Sequence, residues 1–495
     1  MSKITSKIGW RFDNTYSKLP DSMLSKISPV PVKAPKIVIL NHSLSKQLGL
    51  DFSNISKEDL SLIFSGNKLP KGSDAIAQAY AGHQFGQFTM LGDGRAILLG
   101  ELSTPDQERY DIQLKGSGQT KFSRQGDGRA PIGPIIREYV ISESMNAMGI
   151  PSTRSLAAIS TGEQVFRETL LPGGVLTRIA KSHIRVGTFE YFAAQKNTDH
   201  LKTLADYTIN RHFPALKEAN NSYISLLQTV SDLQIELISK WMGVGFIHGV
   251  MNTDNTSIVG ETIDYGPCAF MDEYNPGTVF SSIDTHGRYA FGNQPLIAQW
   301  NMACFANSLL PLIDENSEKA VKKAQEVINN FPKNMNEAVM GVMCKKIGLD
   351  SSENDSQELL KSFLNIMLDN KSDYTLSFRY LSESLQCKKE DLLKAQFQEH
   401  DKLYDWLQKW TKTLENKNLN KKDVMNMMDK TNPLFIPRNH LLERIIDAAT
   451  ENNDFSQMKT LLKVFSSPYK EQPKNEAYSK PPQPDEIVKQ TFCGT

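Results

Sequence analysis

A chain of 495 residues is longer than one hydrophobic core usually supports, so two or more domains or lobes are expected. Apolar content of 39% and charged content of 23% describe a globular protein and exclude a disordered one. Formal net charge is zero and the sequence pI is about 7.1, so no global field recruits nucleic acid or an anionic membrane.

Residues 1–75 are expected to form an N-terminal extension that wraps another part of the molecule. The first ten residues carry neither an apolar signal core nor an Arg-rich presequence. A run of about 18 apolar residues is also missing, which argues against a transmembrane helix and makes the cytoplasm the expected location. Pro29-Val30-Pro31-Val32-Lys33-Ala34-Pro35 is a proline-stiffened extended segment, residues 36–40 a short strand, and residues 43–50 a short helix ending at glycine.

From 76 to 200 the character changes to strands and glycine turns. Residues 87–91 and 96–101 flank Gly92-Asp93-Gly94-Arg95 and predict a β-hairpin with a tight turn. Residues 109–115 alternate, which places Asp111, Gln113 and Lys115 on one face of a strand and Tyr110, Ile112 and Leu114 on the other. Residues 134–145 have helical spacing, with proline near the start and Gly149 beyond the end. Residues 161–168 and 172–180 predict a further strand, turn, strand unit.

Helices dominate from 201 to 314, including a long amphipathic one over 220–242, and a helical region continues from 315 to 465. After Ser466 a polar, proline-rich tail is expected to be extended or mobile. The five cysteines (Cys268, Cys304, Cys344, Cys387, Cys493) are widely spaced and lack a CxxC, as suits reduced thiols. The nine histidines form no HxxxH or HxH pair, which argues against a histidine-ligated metal.

Chemistry concentrates in Gly245-Phe246-Ile247-His248-Gly249-Val250-Met251-Asn252-Thr253-Asp254-Asn255 and Ile263-Asp264-Tyr265-Gly266. An adjacent carboxylate and amide, with a second carboxylate nearby, suit a hard divalent cation on phosphates. The bland account is that such residues cap helices and make Asx-turns. Lys115 on its strand and Glu138 in the next helix are either two solvated charges or an ion pair aiming an ammonium at phosphate. Glycines let backbone approach a ligand closely, although the 92–95 turn alone is compatible with a plain hairpin. Asp127-Gly128-Arg129, Arg178 and Arg185 are rim charges or phosphate ligands, and the residues leave that open. His248 is expected to be a structural hydrogen-bonder.

The pattern His248-Gly249…Asn255…Asp264-Tyr265-Gly266 is similar to the HGDxxxxN…D of aminoglycoside-kinase-like enzymes and the HRDxxxxN…DFG of protein kinases. The aspartate expected after His-Gly is Val250 here, and an aspartate stands at 254 instead. The chain resembles the selenoprotein O family, pseudokinases that act as protein adenylyltransferases. The likeness rests on Tyr80-Ala81-Gly82-His83-Gln84-Phe85-Gly86, Leu114-Lys115-Gly116-Ser117-Gly118, Arg124-Gln125-Gly126-Asp127-Gly128-Arg129 and Met271-Asp272-Glu273-Tyr274-Asn275-Pro276. It extends to Cys493, third from the end, where some members carry selenocysteine.

This resemblance implies an α+β, protein-kinase-like two-lobe fold: a β-rich N-lobe over 76–200 and a helical C-lobe over 201–314. An N-terminal extension, additional C-terminal helices over 315–465 and a flexible tail over 466–495 would complete it. Gly92, Gly94 and Arg95 would form the nucleotide loop, and Lys115 would bind phosphate while paired to Glu138. Asp127 and Gly128 would contact the nucleotide, and Arg178 and Arg185 its buried terminal phosphate. Asp254 would accept a proton, while Asn255 and Asp264 would hold Mg²⁺ or Mn²⁺. ATP would lie flipped relative to kinases, so that AMP passes to Ser, Thr or Tyr hydroxyls of protein substrates. Redox regulation through Cys493, with no disulfide partner chosen, and a monomer with no nucleic-acid or membrane partner complete the expectation. UMP transfer with Mn²⁺, γ-phosphoryl transfer, and a nucleotide-binding scaffold without transfer activity are the alternatives.

Overall fold

Two short strands from the first 75 residues, β1 (Leu24–Lys26) and β2 (Lys36–Leu40), lie at opposite edges of one antiparallel sheet. The computed structural model describes residues 8–386 and 390–492. The sheet also contains β3 (Ile76–Gln78) but not the separate hairpin of β4 (Ala81–Gln84) and β5 (Gln87–Met90). It is completed by β6 (Ala96–Ser103), β7 (Arg109–Lys115), β8 (Ala130–Pro131), β9 (Arg154–Phe166) and β10 (Leu170–Ala180). The order is β1-β3-β6-β7-β10-β9-β2, with β8 paired to β10.

The hairpin expected around 92–95 is therefore corrected. β5 pairs with β4, whereas β6 pairs with β3 and β7, so the Gly-Asp-Gly turn carries the chain from one sheet to another. Alternation finds strands but does not choose their partners.

Alternation does sort the faces of the large sheet. Ile97, Leu99, Ile112 and Leu114 point to a core closed by Leu44 of α1 (His42–Gln47) and Leu60, Ile63 and Phe64 of α2 (Lys57–Phe64). Each such buried side chain contributes roughly 1.5–3 kcal/mol. The N-terminal segment thus forms the outer layer of the sheet. Ser56 starts α2 by accepting a hydrogen bond from Asp59 N, 3.0 Å away. On the inner face Leu98, Ala158 and Leu176 meet Ile135, Ile136 and Tyr139 of α3 (Ile132–Ala147) in the main core. Asp111, Gln113 and Lys115 share that inner face, and all three are buried.

Beyond the sheet come α4 (Val186–Ala194), α5 (Thr198–His212) and α6 (Ser222–Val244). Asn221 caps the start of α6, and Gly245 ends it in a left-handed conformation at φ +73°, where a Cβ would meet the Tyr374 ring. Two-residue strands β11 (Phe246–Ile247) and β12 (Ala269–Phe270) then pair, and the loop between them carries Asp254, Asn255 and Asp264.

Next in the chain are α7 (Gln294–Ile313) and the 30-residue α8 (Ser317–Lys346). The helical region continues with α9 (Asn354–Asn370), α10 (Tyr374–Ser384), α11 (Glu390–Lys394), α12 (His400–Asn416), α13 (Lys421–Thr431), α14 (Asn439–Asn452) and α15 (Ser456–Phe465). The segment 291–313 is long and apolar enough to cross a membrane by composition, but half of its most apolar 18-residue stretch is buried inside the protein. Its Asn301 donates to Met251 O and Thr256 Oγ1, both at 3.0 Å, so α7 serves as a core helix beneath the 250s loop.

The tail is not simply extended: it contains a 3₁₀ turn over Pro473–Ser479 and is laid against the body as far as Thr491. Ser479 O accepts from buried Arg438, and Thr491 Oγ1 donates to Pro267 O at 2.5 Å. Cys387 and Cys493 lie outside the described residues.

Candidate active site

Lys115 ends β7 on the buried inner face, and its ammonium meets Glu138 of α3 and Asp264, each at 2.6 Å. Arg178, on β10 beside β7, reaches the same two carboxylates at 2.6 and 3.3 Å. Burial alone would raise both carboxyl pKa values. The charges of Arg178 and Lys115 outweigh it at Glu138, and those of Lys115, Arg178 and Arg95 do so at Asp264, which stays well below the ordinary carboxylate range. Asp264 adopts φ +65°, a conformation that non-glycine residues rarely take, and this turn of backbone delivers its carboxylate to the cluster. Four charges from four separate segments are thereby neutralised and held.

Asp254 is the opposite case. It sits in a single 3₁₀ turn (Thr253–Asn255), is 7% exposed, and its Oδ1 has no hydrogen-bond partner among the described residues. Burial pushes its carboxyl up to about 6, against the opposing charge of Arg185. Arg185 is anchored by His183 O and Asp254 O at 3.1 Å each, lies 3.9 Å from Asp93, and stacks over Tyr80 at 4.2 Å. Asn255 donates its amide nitrogen to Val250 O at 2.9 Å, which leaves its carbonyl oxygen as the end available to a cation. His248 bonds Ile263 O at 3.0 Å and stacks on Trp241, so it ties the two halves of the loop together.

Gly92, Gly94, Arg95, Lys115, Asp127, Gly128, Arg178, Arg185, Asp254, Asn255 and Asp264 all line one cavity of about 750 Å³, with Glu138 buried behind Lys115. The glycines serve packing within the protein. A Cβ on Gly92 or Gly94 would strike Phe122, because the 116–129 loop lies on the 92–95 turn, and one on Gly128 would strike Gly118 O within that loop. The two Gly-Asp-Gly-Arg turns are thus neighbours on one cavity wall. Asp127 is engaged by Arg167 at 3.0 Å, and this contact, against the effect of burial, lowers its pKa.

Sequence reading did not single out Arg124 and Arg167, which also line the cavity. It left Arg129 open; Arg129 holds Val30 O and Pro31 O at 3.0 and 3.1 Å and so fastens the N-terminal segment to the glycine loop. It also passed over Glu190. His83, Glu190 and Cys304 gather within 4.8 Å although no histidine spacing announces it. His83 Nδ1 and Glu190 Oε1 are 2.5 Å apart, a hydrogen-bond distance, whereas two ligands of one tetrahedral ion at ~2.0–2.1 Å bonds stand roughly 3.3 Å apart.

The model of a family described as protein adenylyltransferase SelO matches residues 7–466. The chain belongs to this family. A protein nucleotidyltransferase YdiU of Maridesulfovibrio salexigens is 53% identical over 485 residues, 98% of each chain. Relatives of the same description from Halalkalibacterium halodurans and Nitrosococcus oceani are 52% and 50% identical. The first alignment covers 100% of this chain and 99% of the relative, and the second 99% and 98%. The protein is a nucleotidyltransferase of this family, which implies a nucleotide and a protein as its substrates.

Proposed function

We propose that the protein transfers AMP from ATP to a Ser, Thr or Tyr hydroxyl of a protein, releasing pyrophosphate. The observation that carries this reading is one cavity that joins a preassembled cation cluster to a buried carboxylate with a free oxygen. The sheet-rich half and the helical half would correspond to the two lobes of a kinase-like arrangement.

Seven cations line the cavity (Arg95, Lys115, Arg124, Arg129, Arg167, Arg178, Arg185) against four carboxylates (Asp93, Asp127, Asp254, Asp264), a balance that suits a polyphosphate. Lys115, Arg178 and Arg185 would bind phosphate oxygens, with the guanidinium groups favouring planar two-point contacts. The carbonyl end of Asn255 and the carboxylate of Asp264 are hard oxygen donors, which fit Mg²⁺ or Mn²⁺. When bound, such an ion supplies charge neutralisation on the phosphates. Asp254 would take the proton of the attacking hydroxyl at Oδ1. The acceptor oxygen then bonds to the α-phosphorus, and the bond from that phosphorus to the pyrophosphate oxygen breaks.

The test is incubation of the protein, a protein acceptor and Mg²⁺ or Mn²⁺ with α- or γ-labelled ATP, and in parallel with α-labelled UTP. Protein-bound label from α-labelled ATP is expected. Label from the γ position alone would replace the reading with phosphoryl transfer, label from UTP alone with uridylylation, and no label in any arm with a nucleotide-binding scaffold. For redox control, Thr491 holds the tail beside Pro267 two residues before Cys493. Equal activity with and without reductant, in wild type and Cys493→Ser, would remove that part of the proposal.

A further inference from the structure

Asp254 Oδ1 has no hydrogen-bond partner among the described residues, so the carboxylate is held directly only in part, by the Gln84 side chain. The residue before it is held firmly instead. Thr253 Oγ1 donates to Glu190 Oε2 at 2.5 Å and accepts from His83 N at 2.7 Å, so both roles of the hydroxyl are used. Glu190 is buried in α4, and its other oxygen faces His83 Nδ1 at 2.5 Å. One residue earlier, Asn252 Oδ1 accepts from Phe85 N at 3.1 Å and from Tyr289 OH at 2.5 Å. Alternate amides of the small hairpin, His83 and Phe85, are thus spent on side chains of the loop that carries Asp254.

The packing around these bonds has no slack. A Cβ on Gly82 would fall on Asp254 Oδ1, and one on Gly187, in the first turn of α4, would fall on Ala81 O. The hairpin, the 252–255 turn and the start of α4 can therefore come together only with glycine at both places.

We propose that Glu190 is a positioning residue for the transfer reaction: acting through Thr253 and His83, it locks the hairpin onto the 252–255 turn and so aims Asp254. This rests on the proposed role of Asp254 as proton acceptor. Glu190 itself is buried and does not line the cavity. A carboxylate suits the task because it accepts from Thr253 and His83 at once, and charge-assisted hydrogen bonds are the stronger kind.

The experiment compares Thr253→Val, Thr253→Ser, Glu190→Met and the Thr253→Val/Glu190→Met double variant in the full chain. Transfer kcat, KM for ATP and equilibrium ATP binding are measured for each. Misaiming a catalytic group by about 1 Å costs on the order of 10²-fold, so Thr253→Val and Glu190→Met should each lower kcat by about 10–100-fold with ATP affinity within about 3-fold of wild type. Thr253→Ser, which keeps the hydroxyl, should recover most of that loss. The double variant should resemble Glu190→Met, which already cuts the Thr253 contact along with the one to His83. Wild-type kcat in Thr253→Val, failure of serine to rescue, or additive losses in the double variant would each overturn the proposal. Asp254→Asn measured alongside separates the two levels. If Asp254→Asn keeps turnover, the proton-acceptor reading has failed; if it is inactive while Thr253→Val is not, only the positioning role has.

Discussion

The two ends of the cavity are built on opposite principles. At the Lys115 end, two cations and two carboxylates from β7, β10, α3 and the 248–268 loop satisfy one another within 2.6–3.3 Å. At the Asp254 end a buried carboxylate keeps an oxygen without a partner. The charges of the paired cluster arrive preorganised, whereas at Asp254 burial outweighs the support of Arg185 and keeps the carboxylate ready for a proton. The contrast suggests that binding is assigned to the first end and chemistry to the second.

The most severe break is expected at the second end. Asp254→Asn should lower transfer by about 10²–10⁴-fold, the usual cost of losing a general base, while ATP binding persists. Because burial opposes the Asp254 charge more than Arg185 supports it, the variant should also melt at or above the wild-type temperature. A clear drop in melting temperature would mean that Asp254 is structurally paired.

At the first end the signs reverse. Glu138→Ala leaves Lys115 and Arg178 with one shared carboxylate, and breaking a buried ionic set in this way costs roughly 3–5 kcal/mol. Denaturant unfolding should register that loss, accompanied by weakened ATP binding. Unchanged stability would show that the cluster is solvated in solution.

Gly82→Ala probes the lid over Asp254. The added methyl group must displace the hairpin or the carboxylate, at about 1–3 kcal/mol as for other overpacked sites. Transfer should fall more than ATP affinity does. The backbone at Gly82 is not in the left-handed region, so the loss reports the collision itself.

Lys346 supplies a buried charge far from the contrast. It is 1% exposed at the end of α8, over the rings of Phe378 and Tyr374 at 4.3 and 5.2 Å, and burial lowers its pKa to about 7. Between about pH 7 and 10 the unfolded chain binds more protons at this lysine, so stability contributed here rises with pH. Lys346→Met should therefore stabilise by at least ~1 kcal/mol at or below neutral pH, and the gain should shrink toward pH 10. A pH-independent difference would mean that the two rings hold the ammonium charged throughout.

Much of the local structure is legible in residue order because its causes are local. Alternation in 109–115 sorted Lys115 from Leu114, and the helical period with its flanking glycine marked α6. Asp254, Asn255 and Asp264, close in sequence, do share one loop and line one cavity. Their pairing partners were less visible. Glu138 was suggested by its place in the following helix, but Arg178 left two readings open until β10 was found beside β7.

What only the tertiary structure decided is which distant residues meet. β1 and β2, 12 positions apart at their first residues, close opposite edges of a sheet, and β5 leaves its neighbour β6 for β4. The polar face of β7, which alternation alone would leave in water, is buried because α3 and the 248–268 loop bring counter-charges to Lys115 and α5 brings Arg211 to Asp111. Glu190 carries no motif at all. Its importance comes from the meeting of α4, the hairpin and the Asp254 turn, and packing of that kind depends on the whole fold because no stretch of sequence contains both partners.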